Sequence, residues 1–186
     1  MSTQTSQSFI SVTDYLQGEL HGEIRHEYVG GRVYAMVGAS DRHNLINLAL
    51  ASRLYQTLRE SGCQVFTSDM KVHLSIAGDD IFYYPDIMVS CREDDRATYY
   101  REHPVLLVEV LSESTERLDR REKFLAYRQL PSLQAYLLLS QDRIEATVFR
   151  RAQSWRAEIL RQGDVLKLTS VEFSVAVADV YEGVSL

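Results

Sequence analysis

Two carboxylates stand where the surrounding sequence is apolar. Glu109 interrupts the run Val105-Leu106-Leu107-Val108-Glu109-Val110-Leu111, and Asp86 follows Pro85 in Tyr83-Tyr84-Pro85-Asp86-Ile87-Met88-Val89. A run apolar on both faces reads as a strand buried in the middle of a sheet. An ionised carboxylate there costs several kcal/mol unless a cation compensates it. Two acids on neighbouring strands with a lysine a short way downstream form an arrangement that holds Mg²⁺ against a phosphodiester.

The elements that would position these groups follow from periodicity and turn chemistry. A short helical segment spans 12–17, and Gly30-Gly31 joins the alternating segments His26-Glu27-Tyr28-Val29 and Arg32-Val33-Tyr34-Ala35-Met36 into a hairpin. A helix follows, N-capped by Ser40 or Asp41, with Leu45, Leu48, Ala49, Leu54 and Leu58 expected near one face and an end before Gly62. Strands are expected over 64–74, 82–89 and 105–111, with the polar stretch 90–103 as a surface loop. After Ser112 the spacing turns helical, with Thr115 as N-cap and Pro131 closing the helix, and three more strands are expected over 133–139, 143–150 and 155–160. This order predicts an α/β (α+β) fold, a mixed open sheet flanked by helices.

At 186 residues and 45% apolar composition, one domain over 1–186 is expected, with 1–10 as a flexible tail. The polar start lacks the basic and apolar segments of a secretory signal, and no apolar run is long enough to span a bilayer. Cys63 and Cys91 have no ligand-like spacing, so a soluble, reduced, cytoplasmic protein with no membrane partner is expected. Five histidines without ligand spacing do not point to zinc.

The net charge of −6 argues against a protein that coats nucleic acid nonspecifically. The balance is uneven, −5 over residues 1–100 and −1 over 101–186, with basic side chains gathered at Arg117, Arg120, Arg121, Lys123 and Arg128. That cluster reads equally as a solvated helix face paired with Glu113, Glu116, Asp119 and Glu122 or as a phosphate-contacting surface.

An ordered set of segments carries a family resemblance. Glu27-Tyr28-Val29-Gly30-Gly31-Arg32-Val33-Tyr34-Ala35-Met36, Ser40 with His43-Asn44, Tyr84-Pro85-Asp86, Val108-Glu109-Val110-Leu111-Ser112, Thr115, Asp119, Lys123 and Tyr127 together resemble the Uma-type family of restriction endonucleases, within the PD-(D/E)XK nuclease superfamily. The likeness runs from about Tyr15 to Val184. It implies a restriction-endonuclease-like core in which Asp86 and Glu109 bind Mg²⁺ or Mn²⁺, Glu27 supplies a third acidic ligand, and His43, Ser112 and Asp119 support the site. It also implies a lysine two positions after the glutamate, and this sequence has Leu111 there. The resemblance gives that role to Lys123, on the next helix. The chain uses 17 Arg and 3 Lys, so a lysine inside an Arg-rich helix is a choice against habit. Lysine offers a compact charge whose pKa shifts, which arginine does not.

Each assignment has a plain rival. Asp86 fits a strand entrance or bulge, and Glu109 fits a structural ion pair with an arginine or Lys123. Lys123 fits an i, i+4 pair with Asp119 on a solvent face, and Glu23 competes with Glu27. His43 fits a capping or packing role, and Tyr83, Tyr84, Tyr99 and Tyr100 read as base-stacking or as packing residues. The expectation is a Mg²⁺-dependent endonuclease acting on DNA as a homodimer, with Asp86, Glu109 and Lys123 as the catalytic set. The alternatives are a nucleic-acid-binding or scaffold protein that keeps the fold without turnover, and a homodimer in which the acids and Lys123 are a structural network.

Overall fold

The computed structural model describes residues 9–113 and 115–186. In chain order the elements are α1 (Val12–His21), β1 (His26–Val29), β2 (Arg32–Ala35), α2 (Asp41–Leu58), β3 (Gln64–Thr67), β4 (Lys71–Ile76), β5 (Asp79–Tyr83), β6 (Ile87–Ser90), β7 (Tyr100–Arg101) and β8 (Pro104–Leu111). A π-helical turn (Leu118–Lys123) leads into α3 (Phe124–Tyr127), followed by β9 (Ala135–Ser140), β10 (Glu145–Arg150), β11 (Ala157–Arg161), β12 (Val165–Leu168), β13 (Phe173–Ala176) and α4 (Val177–Val180). Among the described residues the strands form a five-stranded sheet in the order β2-β1-β5-β4-β7, a six-stranded sheet in the order β11-β10-β9-β8-β6-β3, and the small β12-β13 pair.

β8 is the axis of the larger sheet, antiparallel to β6 and parallel to β9. Successive strand residues face opposite ways. Leu106, Val108 and Val110 therefore enter the core built with Ile46, Leu50, Leu54 and Leu58 of α2. Leu107 and Leu111 enter the core built with Tyr127, Leu130, Leu133 and Tyr136 and with Val72, Leu74, Ile81 and Tyr83 of the smaller sheet. Burying a side chain of this size contributes roughly 1.5–3 kcal/mol, so the alternation fixes which way Glu109 points.

Each of the two long strands expected from the sequence is split between the sheets. The segment 64–74 becomes β3 and β4, and 82–89 becomes β5 and β6. The breaks lie side by side, since the Ser68 N–H donates to the Asp86 carbonyl at 3.1 Å and Ser68 has a positive φ of 47°. Pro85 has no N–H for a ladder, which releases the second strand at Tyr84-Pro85-Asp86. At the hairpin turn Gly30 and Gly31 have φ of 53° and 90°, the double positive φ of a primed two-residue turn.

Several expectations are corrected. In α2 the buried stripe is Ile46, Asn47, Leu50, Ala51, Leu54 and Leu58, while Leu48 is 61% exposed and Leu45 is also exposed. The i, i+4 series 46, 50, 54, 58 packs on β8, and Leu45 and Leu48, one and two residues off it, face outward. The stretch 90–103 contains β7, which pairs in parallel with β4 and buries Arg101, so it is not wholly a surface loop. The helix after Ser112 is a π-turn before it is an α-helix. The expected tail over 1–10 lies largely outside the described residues. Ile10 is anchored, with its N–H donating to the Gly31 carbonyl and its carbonyl accepting from the Tyr28 hydroxyl.

The expectation of reduced cysteines is also overturned: Cys63 and Cys91 form a disulfide. Gln64 pairs with Ser90 across β3 and β6, so the next residue outward on each strand is a cysteine facing a cysteine. Sequence separation alone carries no sign of this register.

Candidate active site

Strand geometry brings the two sequence-flagged acids together. Ile87 lies opposite Val108 at the end of the β6–β8 ladder, so that Asp86, the next residue beyond it, comes beside the Glu109–Val110 end of β8. The Val110 N–H donates to Asp86 Oδ2 at 2.7 Å, and His43 Nε2 from α2 lies 3.1 Å from the same oxygen. Ser40 N-caps α2 by accepting from the His43 N–H, which fixes the turn that carries the imidazole.

The cation arrives from the π-turn. Lys123 Nζ lies 2.9 Å from Glu27 Oε1, 3.2 Å from Glu109 Oε1 and 3.3 Å from Asp119 Oδ1, and it is 5% exposed. The Tyr127 hydroxyl donates to Glu109 Oε1 at 3.0 Å. Asp119, Lys123 and Tyr127 recur every four residues and share the inward face, which a π-turn keeps nearly in line. The i, i+4 pair of Lys123 with Asp119 therefore exists, but inside the protein and not on a solvent face. Arg117 and Arg121, from the same segment, are exposed, and Arg120 pairs with Glu116 at 2.7 Å.

One ammonium faces an excess of buried acid. Burial pushes the Glu109 carboxyl well above the ordinary range, with Lys123 pulling it back and Asp119, Asp86 and Glu27 pushing it further up. Burial likewise raises Asp119, against the pull of Lys123. For Lys123 burial is the largest single influence and acts to lower it, but Glu109, Glu27 and Asp119 together raise it well above the usual lysine value. Lys123 is thus a firmly held ammonium. Burial acts to lower His43, and its contact with Asp86 outweighs that and raises it. Burial beside Glu109 holds the Tyr127 hydroxyl well above its usual range, so it remains a donor.

These groups open onto a cleft of about 680 Å³. Asp86, Glu109, Asp119, Lys123, His43 and Ser112 line it, together with the 36–40 segment and the start of α2. Ser112 Oγ lies 3.0 Å from Thr115 Oγ1 and accepts from the Thr115 N–H, shaping the bend between β8 and the π-turn. Glu27 does not line the cleft. It lies buried behind Lys123 and accepts from the Tyr84 N–H at 3.4 Å, so it is a partner of the lysine where a third metal ligand was expected. Glu23 is exposed and outside the cleft. Tyr83 is a buried packing residue, Tyr84 is buried with its hydroxyl bonded to Glu19 and Lys71 and lines the cleft, and Tyr99 is half exposed.

The donor set suits a hard divalent cation. The hydrogen bonds and ion pairs among the described residues fall on Oδ2 of Asp86 and Oε1 of Glu109, leaving the second oxygen of each carboxylate uncommitted. No group of three His, Cys, Asp or Glu side chains among the described residues is arranged to cage an ion alone. Mg²⁺ is commonly held by one or two carboxylates plus waters and substrate phosphate, which is the combination this cleft leaves room for.

Asp119 was expected to support the site, whereas the roles of Tyr127 and of the residues around Tyr84 were not foreseen. Tyr127 as a donor to Glu109 and Asp119 as a wall of the cleft follow from a polar residue recurring at i, i+4, i+8 through an otherwise amphipathic helix, a signal present in the sequence. The approach of Tyr84 to Glu19 and Lys71, 65 and 13 residues away, has no local signal.

The sheet order and flanking helices define a mixed α+β domain. A solved structure described as a putative nuclease belonging to DUF820, from Anabaena variabilis, superposes with a TM-score of 0.74 at 16% identity, covering 93% of this chain and 98% of that one. The chain belongs to the Uma2 family, described as "Putative restriction endonuclease", whose family model matches residues 12–178. It is 35% identical over 179 residues to the uncharacterized protein slr1290 of Synechocystis sp., spanning 95% of this chain and 93% of that protein. It is 33% identical over 144 residues to a second uncharacterized protein of the same organism, sll1609, spanning 76% and 80%. No helix among the described residues is long and apolar enough to cross a membrane.

Proposed function

We propose that the protein is a divalent-metal-dependent endonuclease that hydrolyses DNA phosphodiester bonds, with Asp86 and Glu109 holding Mg²⁺ or Mn²⁺ and Lys123 completing the site. The observation that carries this reading is the charge imbalance at the cleft, where the carboxylates of Asp86, Glu109 and Asp119 meet the Lys123 ammonium, itself shared with the buried Glu27 behind it, and the His43 imidazole beside Asp86. Uncompensated buried charge is costly, and a divalent cation held by Asp86 and Glu109 would relieve it.

When bound, the metal supplies Lewis acidity and lowers the pKa of coordinated water. The remaining roles belong to the chain. The Val110 N–H and His43 hold one oxygen of Asp86, turning the other to the cleft. The Tyr127 hydroxyl and Lys123 do the same for Glu109. Lys123, locked as an ammonium by three carboxylates, orients water and offsets charge growing on the phosphoryl oxygens; it is poorly suited to removing a proton. Glu27 and Asp119 aim that ammonium.

The lining of the cleft disfavours the binding-only alternative. Among its residues Arg25 and Lys123 are the cations against the carboxylates of Asp69, Asp86, Glu109, Glu113 and Asp119, so DNA phosphate is repelled until metal enters. Two copies related by symmetry would cut both strands of a duplex, which gives a homodimer as the working assembly. The test is cleavage of plasmid DNA with Mg²⁺, Mn²⁺, Ca²⁺ or EDTA, on the wild type and on Asp86→Ala. Turnover with Mg²⁺ or Mn²⁺, binding without turnover for Ca²⁺, and silence with EDTA or Asp86→Ala are expected. Activity that survives EDTA refutes the reading.

A further inference from the structure

The corner Tyr84-Pro85-Asp86 carries the Asp86 carboxylate and lies between two sheets, where no strand ladder fixes it. β5 ends at Tyr83, β6 begins at Ile87, and Pro85 has no N–H to donate. A buried chain of side chains takes the place of the ladder. The Tyr84 hydroxyl donates to Glu19 Oε2 at 2.7 Å and accepts from Lys71 Nζ at 3.1 Å. Glu19 is 6% exposed and also takes the His26 N–H at 3.2 Å. Lys71 is 4% exposed, with its ammonium 5.0 Å from the Tyr84 ring centre and 5.9 Å from that of Tyr99.

Among the described residues no carboxylate forms an ion pair with Lys71, and burial, the largest influence on it, lowers its pKa. The hydroxyl is therefore the link between a buried anion and a buried cation that do not touch. Moving it would take from Lys71 its hydrogen-bond partner and leave Glu19 with His26 alone, and a poorly satisfied buried charge costs far more than a neutral hydrogen bond. The same residue is gripped at its backbone, since its N–H donates to the Glu27 oxygen that also receives Lys123. Neither Glu19 nor Lys71 lines the cleft.

We infer that Tyr84 is a positioning residue, which through the Glu19–Tyr84–Lys71 chain fixes the corner that aims Asp86 into the cleft and, through Glu27, keeps that corner in register with Lys123. The inference rests on the reading that Asp86 serves the metal, but its structural half does not need metal to be tested.

Amide hydrogen exchange reads the corner directly. The Val110 N–H donates to Asp86 Oδ2 and the Ser68 N–H to the Asp86 carbonyl, so both report its place, while the Leu137 and Val148 amides in mid-sheet serve as controls. Tyr84→Phe is compared with wild type, and Glu19→Gln with Lys71→Met serves as a second variant that breaks the same chain from its ends, so that loss of folding in one leaves the other informative. Exchange about tenfold faster at Val110 and Ser68 with unchanged controls is expected, together with Mn²⁺ binding about tenfold weaker by calorimetry and an unchanged KM for DNA. Unchanged exchange at the two reporters, or an equal rise at the controls, overturns the inference. A wild-type protein that binds no Mn²⁺ counts against the metal reading, and the exchange result still decides the role of Tyr84.

Discussion

Replacing Lys123 with methionine removes the one cation among Glu27, Glu109 and Asp119 while keeping most of the side-chain volume. The lysine is 5% exposed and its three partners are buried, so solvent screening gives little relief. Removing one partner from a buried ion pair costs about 3–5 kcal/mol, because it leaves uncompensated charge. Against a total stability of roughly 5–15 kcal/mol, that is a large fraction. For a chain of this length each kcal/mol shifts Tm by about 2–4 °C, so a fall of roughly 6–20 °C is expected at pH 7. The loss should shrink near pH 5, where the stranded carboxylates take up protons at lower cost, and Mg²⁺ should restore part of it. The assay is thermal and urea unfolding at both pH values, with and without Mg²⁺. A Tm within 2 °C of wild type at pH 7 refutes the idea that Lys123 compensates the buried acids.

Glu109→Gln removes one of the crowded carboxylates, so the metal-free protein is expected to be as stable as wild type or more so at pH 7, with Mn²⁺ binding and cleavage lost; unfolding together with calorimetry checks both. Glu109 and Asp119 have raised folded-state pKa values, so their contribution to stability is present below the ordinary carboxylate pKa of about 4.5 and is lost as pH rises through the raised values. The metal-free Tm should therefore fall as pH climbs from about 4.5 toward neutrality, and saturating Mg²⁺ should flatten that fall; a metal-free curve that rises across this window contradicts the assignment. Lys123→Arg should leave cleavage at a few per cent of wild type or less, since a forked guanidinium does not fit the space of an ammonium between Glu27, Glu109 and Asp119. Cys63→Ser with Cys91→Ser opens a bridge across a separation of 28 residues and should cost about 3–4 kcal/mol under oxidising conditions, read as a urea midpoint difference that disappears when wild type is reduced.

The sequence alone determined the features that are local in the chain. The Gly30-Gly31 turn, the Ser40 cap and the buried run around Glu109 each follow from a few adjacent residues, because backbone dihedrals, capping and strand period act over that range, while the break at Pro85 inside the strand expected over 82–89 came with the structure. Asp86 and Glu109 were legible for the same reason, as charged groups in places where charge is costly, whereas Lys123 was reached through the family resemblance, its spacing alone reading as a solvent-face pair with Asp119. The tertiary structure decided what depends on register between distant segments. It turned α2 so that Ile46 and Leu50, not Leu45 and Leu48, met β8. It placed Cys63 against Cys91 and drew Glu27 behind Lys123, away from the cleft. It brought Glu19 and Lys71 to the Tyr84 hydroxyl. Those pairings are fixed by which faces of two sheets bury against one another, and that choice is made by the packing of the whole core, which no window of the chain contains.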